Sequence, residues 1–273
     1  MATLPPYERM LDAYHNAFEN EIRIMIRNLP LNGDEKVLDM GCGDGFYTSL
    51  LAARLKLGGE ITAVDTSEAY LHLVRERLHR TSSLGAVHLV KGDIDRLPFA
   101  ANSFDFIWCA QSLYSFPDPL ESLKALYRVL KPGGTIGALE NDTMHQLILP
   151  WPPELEFKLR EAELKVLARQ ESNAGKYYIG RNLGWLFNRA GFSYVKKRTY
   201  SSNRHAPLGD DTRRFLRYYL QNLLERVSPE LDKKTRVEAE RLLKPGPEDM
   251  LNDPSFVMTS IDDVVTASKP VIL

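Results

Sequence analysis

The sequence predicts an α/β protein built on a doubly wound, mostly parallel seven-stranded sheet, with an N-terminal helix and helical cap insertions. Three observations carry this. Apolar runs of strand length alternate with helical-period segments between residues 36 and 140, a glycine-rich turn closes the first strand, and charged helical patterns interrupt the rhythm afterwards.

From Tyr7 to Leu29, Met10, Leu11, Tyr14, Phe18, Ile22 and Met25 or Ile26 recur at helical spacing. They mark one amphipathic helix of several turns, closed by Pro30. Lys36 to Met40 reads as a short buried strand, Gly41 to Gly45 as a turn, and Phe46 to Leu57 as a helix. A strand over Glu60 to Val64 leads through Asp65 into a helix over Ala69 to Arg80. Strands follow at Val87 to Lys91 and Phe104 to Cys109. The helix Pro119 to Leu130 is stopped by Lys131-Pro132-Gly133-Gly134, and Thr135 to Leu139 is the fifth strand.

Beyond Glu140 the pattern changes. Pro152 to Ser172, Arg181 to Arg189, Asp210 to Val227 and Pro229 to Leu243 have helical spacing, whereas Phe192 to Tyr200 and Phe256 to Ala267 read as strands. The expected organisation is an N-terminal helical segment (1–30), an α/β core (31–150, 176–200 and 254–273) and helical cap insertions (151–175 and 201–253).

Composition narrows the function classes. The 273 residues are 44% hydrophobic and 26% charged, ordinary for a globular chain able to bury a core. Lysine plus arginine (35) nearly balances aspartate plus glutamate (36), so no whole-molecule field favours nucleic acid as a partner. Two cysteines, Cys42 and Cys109, are too few for a disulfide framework or a structural metal site, so no metal is expected. Free buried thiols, the lack of a signal-peptide pattern and the absence of about 18 consecutive apolar residues lead to the expectation of a cytoplasmic protein without a membrane span. The sequence leaves monomer or homo-oligomer open.

Val37-Leu38-Asp39-Met40-Gly41-Cys42-Gly43-Asp44-Gly45 closes a strand and opens a helix. Glycines suit a chain that turns sharply beneath a ligand, although a plain tight turn has the same composition. The spacing G-x-G-x-G differs from the G-x-G-x-x-G of dinucleotide binders, and no Gly-Lys-Ser/Thr follows as in a P-loop. The acid Asp39 just before the turn repels a pyrophosphate and suits an ammonium group. Asp65, at the end of the second strand, stands where a carboxylate can accept two ribose hydroxyls. Asp93, in Gly92-Asp93-Ile94, follows the third strand, where it can accept from an adenine amino group. Each acid alone also fits a helix cap or solvated loop. Together, in this order, they fit an adenosine carrying an amino acid.

These residues, with Leu97-Pro98-Phe99, Phe104-Asp105 and Leu130 to Gly134, resemble the class I S-adenosylmethionine-dependent methyltransferases. The chain looks like the branch that includes the ubiquinone- and menaquinone-biosynthesis enzymes and many natural-product small-molecule enzymes. The resemblance implies a Rossmann-like methyltransferase fold and S-adenosylmethionine as methyl donor, leaving S-adenosylhomocysteine. It places Gly41, Cys42, Gly43 and Gly45 along the methionine part, with Asp39 near its amino group. Asp65 falls at the ribose, Asp93 and Ile94 at the adenine, and Cys109, Ala110, Gln111 and Ser112 beneath the sulfonium, with Thr66 also among the cofactor-binding residues. The family often has a histidine-containing stretch after the fourth strand; here the residues are Gln111-Ser112-Leu113-Tyr114-Ser115-Phe116.

Methyl transfer from a sulfonium is an in-line displacement that needs alignment and exclusion of water rather than a covalent enzyme intermediate. An oxygen acceptor benefits from a general base. The candidates for catalysis are His15, Glu140 and His145; those for contact with a small-molecule acceptor are Tyr7, Tyr14, Tyr114, Asn141, Tyr178 and Arg181. Tyrosines at helical spacing also pack core edges, and a lone histidine is commonly structural. The arginine–aromatic segments Lys176 to Arg181 and Arg213 to Tyr219 suit either an anionic acceptor or an amphipathic cap helix, apolar inward and cationic outward. A non-methylating S-adenosylmethionine-binding protein, regulator or cyclase, stays the alternative; an NAD-dependent oxidoreductase is disfavoured by the glycine spacing.

Overall fold

A computed structural model of the protein describes residues 4, 7–79, 85–141, 147–170, 178–246 and 248–271. Among these residues eight strands form one sheet: β1 (Lys36–Met40), β2 (Glu60–Asp65), β3 (Ala86–Lys91), β4 (Phe104–Ala110), β5 (Leu130–Glu140), β6 (Leu147–Ile148), β7 (Ser193–His205) and β8 (Val257–Ser268). The order is β3-β2-β1-β4-β5-β8-β6, with β7 also paired to β8. β1 to β5 are mutually parallel, and β8 runs antiparallel to β5, β6 and β7.

Period-two alternation explains why both faces are covered. Val37, Phe106, Trp108 and Leu139 enter one apolar layer, with helices α1 (Glu8–Ala17), α2 (Glu19–Arg27), α3 (Phe46–Ala52), α6 (Pro153–Gln170) and α8 (Asp210–Val227). Leu38, Met40, Ile107, Cys109 and Ile136 enter the opposite layer, with α5 (Pro119–Val129) and α7 (Ile179–Arg189). Helix α4 (Glu68–Leu78) covers Ala63 through Leu71 and Val74, and α9 (Lys233–Leu243) packs on the α6–α8 side.

Several expectations are corrected. The single N-terminal helix is two, broken at Phe18 (φ −119°, ψ 17°), whose fully buried ring sits between Tyr14 and Phe215 and beneath the Arg204 guanidinium. Arg54 then gathers the carbonyls of Ile26, Leu29 and Leu31, tying the end of α2 to the core. Helix α3 stops at Ala52 rather than Leu57, because Lys56 N–H turns away to the Gly33 carbonyl. β5 extends back through Gly133 and Gly134, which exchange backbone hydrogen bonds with Lys269.

The eighth strand, β6, is two residues long and pairs with Thr259 and Ser260, beyond where β5 ends along β8. It is too short to show periodicity. Residues 201–205, assigned from sequence to a cap insertion, lengthen β7 to His205. Pro229 lies in a 3₁₀ turn, Ser228–Glu230, and α9 starts only at Lys233, where the Asp232 carboxylate accepts the Thr235 amide. Among the described residues no helix is long and apolar enough to cross a membrane.

Candidate active site

The carboxyl ends of β1, β2, β4 and β5 open into a cleft of about 1020 Å³. Ligand sites are commonly about 300–1,000 Å³, so this one has room for an adenosine-sized donor together with an acceptor. Helices α1 and α8 form its far wall.

The glycine turn is its floor. Gly41, Gly43 and Gly45 have φ of +74°, +51° and +79°, the left-handed region that side chains disfavour. A Cβ on Gly41 would stand 2.4 Å from Ser112 Oγ, so the packed Ser112 side chain leaves no room for one there. At Gly43 only Leu11 lies within 4 Å of that position, leaving bare backbone facing the cleft. Gly41, Cys42 and Gly43 line the space. Gly45 does not: it starts α3 against Val74.

The three acids differ in what they do. Asp65 lines the cleft; its Oδ2 accepts the Gly43 amide (3.0 Å) and its Oδ1 the Ser67 amide (2.8 Å), so it holds the glycine turn and the approach to α4 together. Asp93 lines it too, and accepts the Asp95 amide as cap of the 3₁₀ turn Ile94–Arg96. Asp39 does not reach the cleft surface. It is buried beneath the turn and accepts a 2.6 Å hydrogen bond from Thr48 Oγ1. Burial pushes its carboxyl up to about 7, against the Thr48 hydrogen bond and with help from the charges of Asp65 and Asp44. Folded Asp39 therefore keeps a proton that the unfolded chain has lost between about pH 4 and 7, and its contribution to stability falls as pH rises through that window. Asp39→Asn is expected to flatten the decline in urea midpoint across the same range; a slope equal to wild type contradicts this.

Thr66, Ile94, Ala110 and Gln111 line the cleft, whereas Cys109 is fully buried in the layer beneath it. Gln111 adopts φ +50°, a conformation costing a non-glycine residue roughly 1–2 kcal/mol. Glu140 accounts for how the strained loop is held. Its Oε1 accepts the amides of Ser112 (3.0 Å) and Leu113 (2.7 Å). Burial raises its carboxyl to about 8, opposed by the amides of Leu113, Ser112 and Tyr114. Glu140 borders the cleft, but its carboxylate faces backbone, which makes it the anchor of the loop after β4.

His15 also lines the cleft yet is clamped. Its Nδ1 lies 3.2 Å from Asp44 Oδ2 and its ring stacks on Phe46, centroids 4.2 Å apart. Arg77 reaches the same Asp44 oxygen at 2.8 Å. Burial alone would raise the Asp44 carboxyl, but His15, Arg77 and the Phe46 amide outweigh it and hold it below its usual value. The cluster fastens α1 to the glycine turn.

Tyr7, Tyr14, Tyr114 and Asn141 line the cleft. Tyr178 and Arg181 do not; they meet each other at the start of α7, the guanidinium 5.5 Å from the tyrosine ring centre. His145 falls outside the described residues. In α8, Phe215 and Tyr219 turn into the cleft, while Arg213 bonds the Leu251 carbonyl and Asn252, and Arg217 bonds the Leu243 carbonyl and Asp249. The amphipathic reading of that helix thus holds. Sequence reasoning missed Asp44, Tyr47 and Asp262. The last was signalled by Ile261-Asp262-Asp263-Val264, two acids within an otherwise strand-like run.

A family profile described as "Methyltransferase domain" matches residues 38–137, which span the glycine turn, the strand-end acids and β4. The chain is 31% identical over 185 residues to a demethylmenaquinone methyltransferase of Staphylococcus haemolyticus, covering 65% of this chain and 76% of that protein. A putative methyltransferase of Bacillus halodurans superposes with a TM-score of 0.59 at 18% identity, over 92% of this chain and all of the other. A Haemonchus contortus phosphoethanolamine N-methyltransferase, solved with S-adenosylhomocysteine, superposes at 0.52 and 18% identity, over 95% of this chain and 57% of that one. With the cleft's bare-backbone floor and the profile match across it, these findings show that the chain belongs to the class I S-adenosylmethionine-dependent methyltransferases.

Proposed function

We propose that the cleft transfers the methyl group to a small aromatic acceptor seated between the glycine turn and the α1–α8 wall. In this reading Gly41, Cys42 and Gly43 run beneath the methionine portion of the donor, with buried Asp39 and Gly45 shaping the turn from behind. Asp65 and Thr66 hold the ribose, and Asp93 and Ile94 flank the adenine. Ala110 and Gln111 pass below the reacting centre, on a loop that Glu140 holds rigid. Tyr7, Tyr14, Tyr114 and Asn141 face the acceptor.

The observation that carries the reading is the pairing of unobstructed backbone at Gly43 with Asp65, which binds that backbone and faces the same space. When bound, S-adenosylmethionine supplies an electrophilic methyl on a cationic sulfur. The protein's part is to hold the acceptor atom about 3–3.5 Å from it, in line, and to keep water out. The aromatic wall and the relatives' named activity support a quinone-type ring as acceptor, and demethylmenaquinone is the first compound to test.

Calorimetry with S-adenosylhomocysteine and with NAD separates donor classes: the first is expected to bind and the second not. Labelled S-adenosylmethionine offered with a panel of phenolic, quinol and amine acceptors is expected to label a phenol or quinol. Binding of NAD in place of S-adenosylhomocysteine, or label passing only to amines, contradicts the proposal.

A further inference from the structure

Four polar side chains meet at the inner wall of the cleft and just behind it, outside the glycine turn itself. Tyr14, from α1, donates its hydroxyl hydrogen to Asp262 Oδ1 of β8 at 2.9 Å. Tyr14 and Asp262 are 3% and 1% exposed. Tyr47 of α3 and Asn141, beyond β5, stand beside them. Among the described residues, no group meets hydrogen-bond geometry with Asp262 Oδ2, with the Tyr47 hydroxyl or with the Asn141 side-chain amide, although Asn141 is near enough to influence the titration of Tyr14 and Asp262.

Buried polar atoms are normally paired, and a carboxylate in a strand with half its acceptor capacity unused is costly to keep. Packing alone does not account for it. Tyr14, Tyr47 and Asn141 reach the cleft surface, whereas Asp262 is behind Tyr14. Because Tyr14 spends its hydrogen on Asp262, what its hydroxyl has left to offer a ligand is an oxygen lone pair, which calls for a donor. The surrounding walls, from Leu11, Tyr47, Phe215 and Tyr219, suit a flat ring.

Resting on the methyl-transfer reading above, we propose that the acceptor is a hydroxyl-bearing aromatic molecule whose O–H docks on Tyr14, with Asp262 as the positioning residue that takes the proton through it. The acceptor's O–H bond breaks and its proton passes to Tyr14 Oη as Tyr14's own proton passes to Asp262. The freed electron pair, on oxygen or delocalised to a ring carbon, forms the bond to the methyl carbon. The pair of the broken carbon–sulfur bond stays on sulfur, which becomes a neutral thioether. Attack by carbon additionally releases the ring proton to solvent.

The groups facing Asp262 are Tyr14 from α1, Glu21 from α2, Tyr47 from α3, Asn141 after β5 and Asp263 on its own strand. Burial raises the Asp262 carboxyl to about 6, opposed by the Tyr14 hydrogen bond and by the nearby Asn141 amide. Above that pH its charge keeps the Tyr14 hydrogen turned inward.

The test is calorimetric, on full-length protein saturated with S-adenosylhomocysteine and titrated with 1-naphthol or 1-naphthylamine. Wild type is expected to bind 1-naphthol in preference to the amine, with affinity falling as pH drops through about 6. Tyr14→Phe is expected to bind it about tenfold more weakly, the scale of one lost hydrogen bond. Asp262→Asn still offers an oxygen to Tyr14, so it is expected to stay within about threefold of wild type at neutral pH but to lose the pH dependence. Equal 1-naphthol affinity in Tyr14→Phe, an unchanged pH profile in Asp262→Asn, or preference for the amine overturns the inference while leaving donor binding intact. If S-adenosylhomocysteine itself does not bind wild type, the methyl-transfer reading falls, and this inference with it.

Discussion

Asp65→Ala is expected to weaken S-adenosylhomocysteine binding by roughly 1.5–3 kcal/mol, the range for hydrogen bonds to a charged group, or about 10- to 150-fold in affinity. Asp65 acts in two ways at once. Its oxygens accept the amides of Gly43 and Ser67, which sets the spacing between the glycine turn and the approach to α4. It also faces the cleft, where the proposed ribose lies. Alanine removes both, and asparagine keeps one acceptor without the charge. The expected order of affinity is therefore wild type, Asp65→Asn, Asp65→Ala. The melting temperature should change less than the affinity, because the carboxylate is only partly buried. Full affinity in the alanine variant, measured calorimetrically, would remove Asp65 from the donor site.

Glu140→Ala is expected to give the largest loss of stability, roughly 2–4 kcal/mol, because buried amides lose their acceptor. The amides of Ser112 and Leu113 converge on one Glu140 oxygen, and the residue is 1% exposed, so water does not replace it without rearrangement. For a chain of this size the loss corresponds to roughly 5–12 °C in Tm. Glutamine presents the same carbonyl oxygen and should recover most of it. Because the freed segment adjoins Gln111 at its left-handed φ, donor affinity should fall along with stability in Glu140→Ala. A Tm within 1–2 °C of wild type would falsify the anchoring role.

The donor half of this protein was legible because its constraints are local. The glycines and each acid lie within a few residues of the end of their own strand, so backbone geometry and spacing carry the message. What the side chains do there was less legible. Asp39 and Asp65 occupy adjacent strand ends, yet one is sealed under the turn and the other faces the cleft, a difference set by Thr48 and the packing of α3. Glu140 read as a candidate base because it ends a strand at the ligand edge; only the fold shows the amides of residues 112 and 113 beneath its carboxylate. Asp262 was missed for a related reason. Its partner Tyr14 lies 248 positions away, and no period or spacing links an acid in the last strand to a tyrosine in the first helix. Tyr178 and Arg181 differ in the opposite sense: they are neighbours in sequence and in space, but they lie outside the lining of the cleft.

The origin of the cleft's two walls has a consequence for how such a chain diversifies. The floor comes from one continuous stretch, β1 to the loop after β4, whereas the opposite wall is assembled from the first helix and α8, with a strand near the far end behind it. Substitutions at the extremities can thus exchange one recipient molecule for another while the stretch between them goes on gripping an unchanged reagent. The two specificities lie in separate stretches of the polypeptide, and one place where those stretches meet is the pairing of Asp44 with His15.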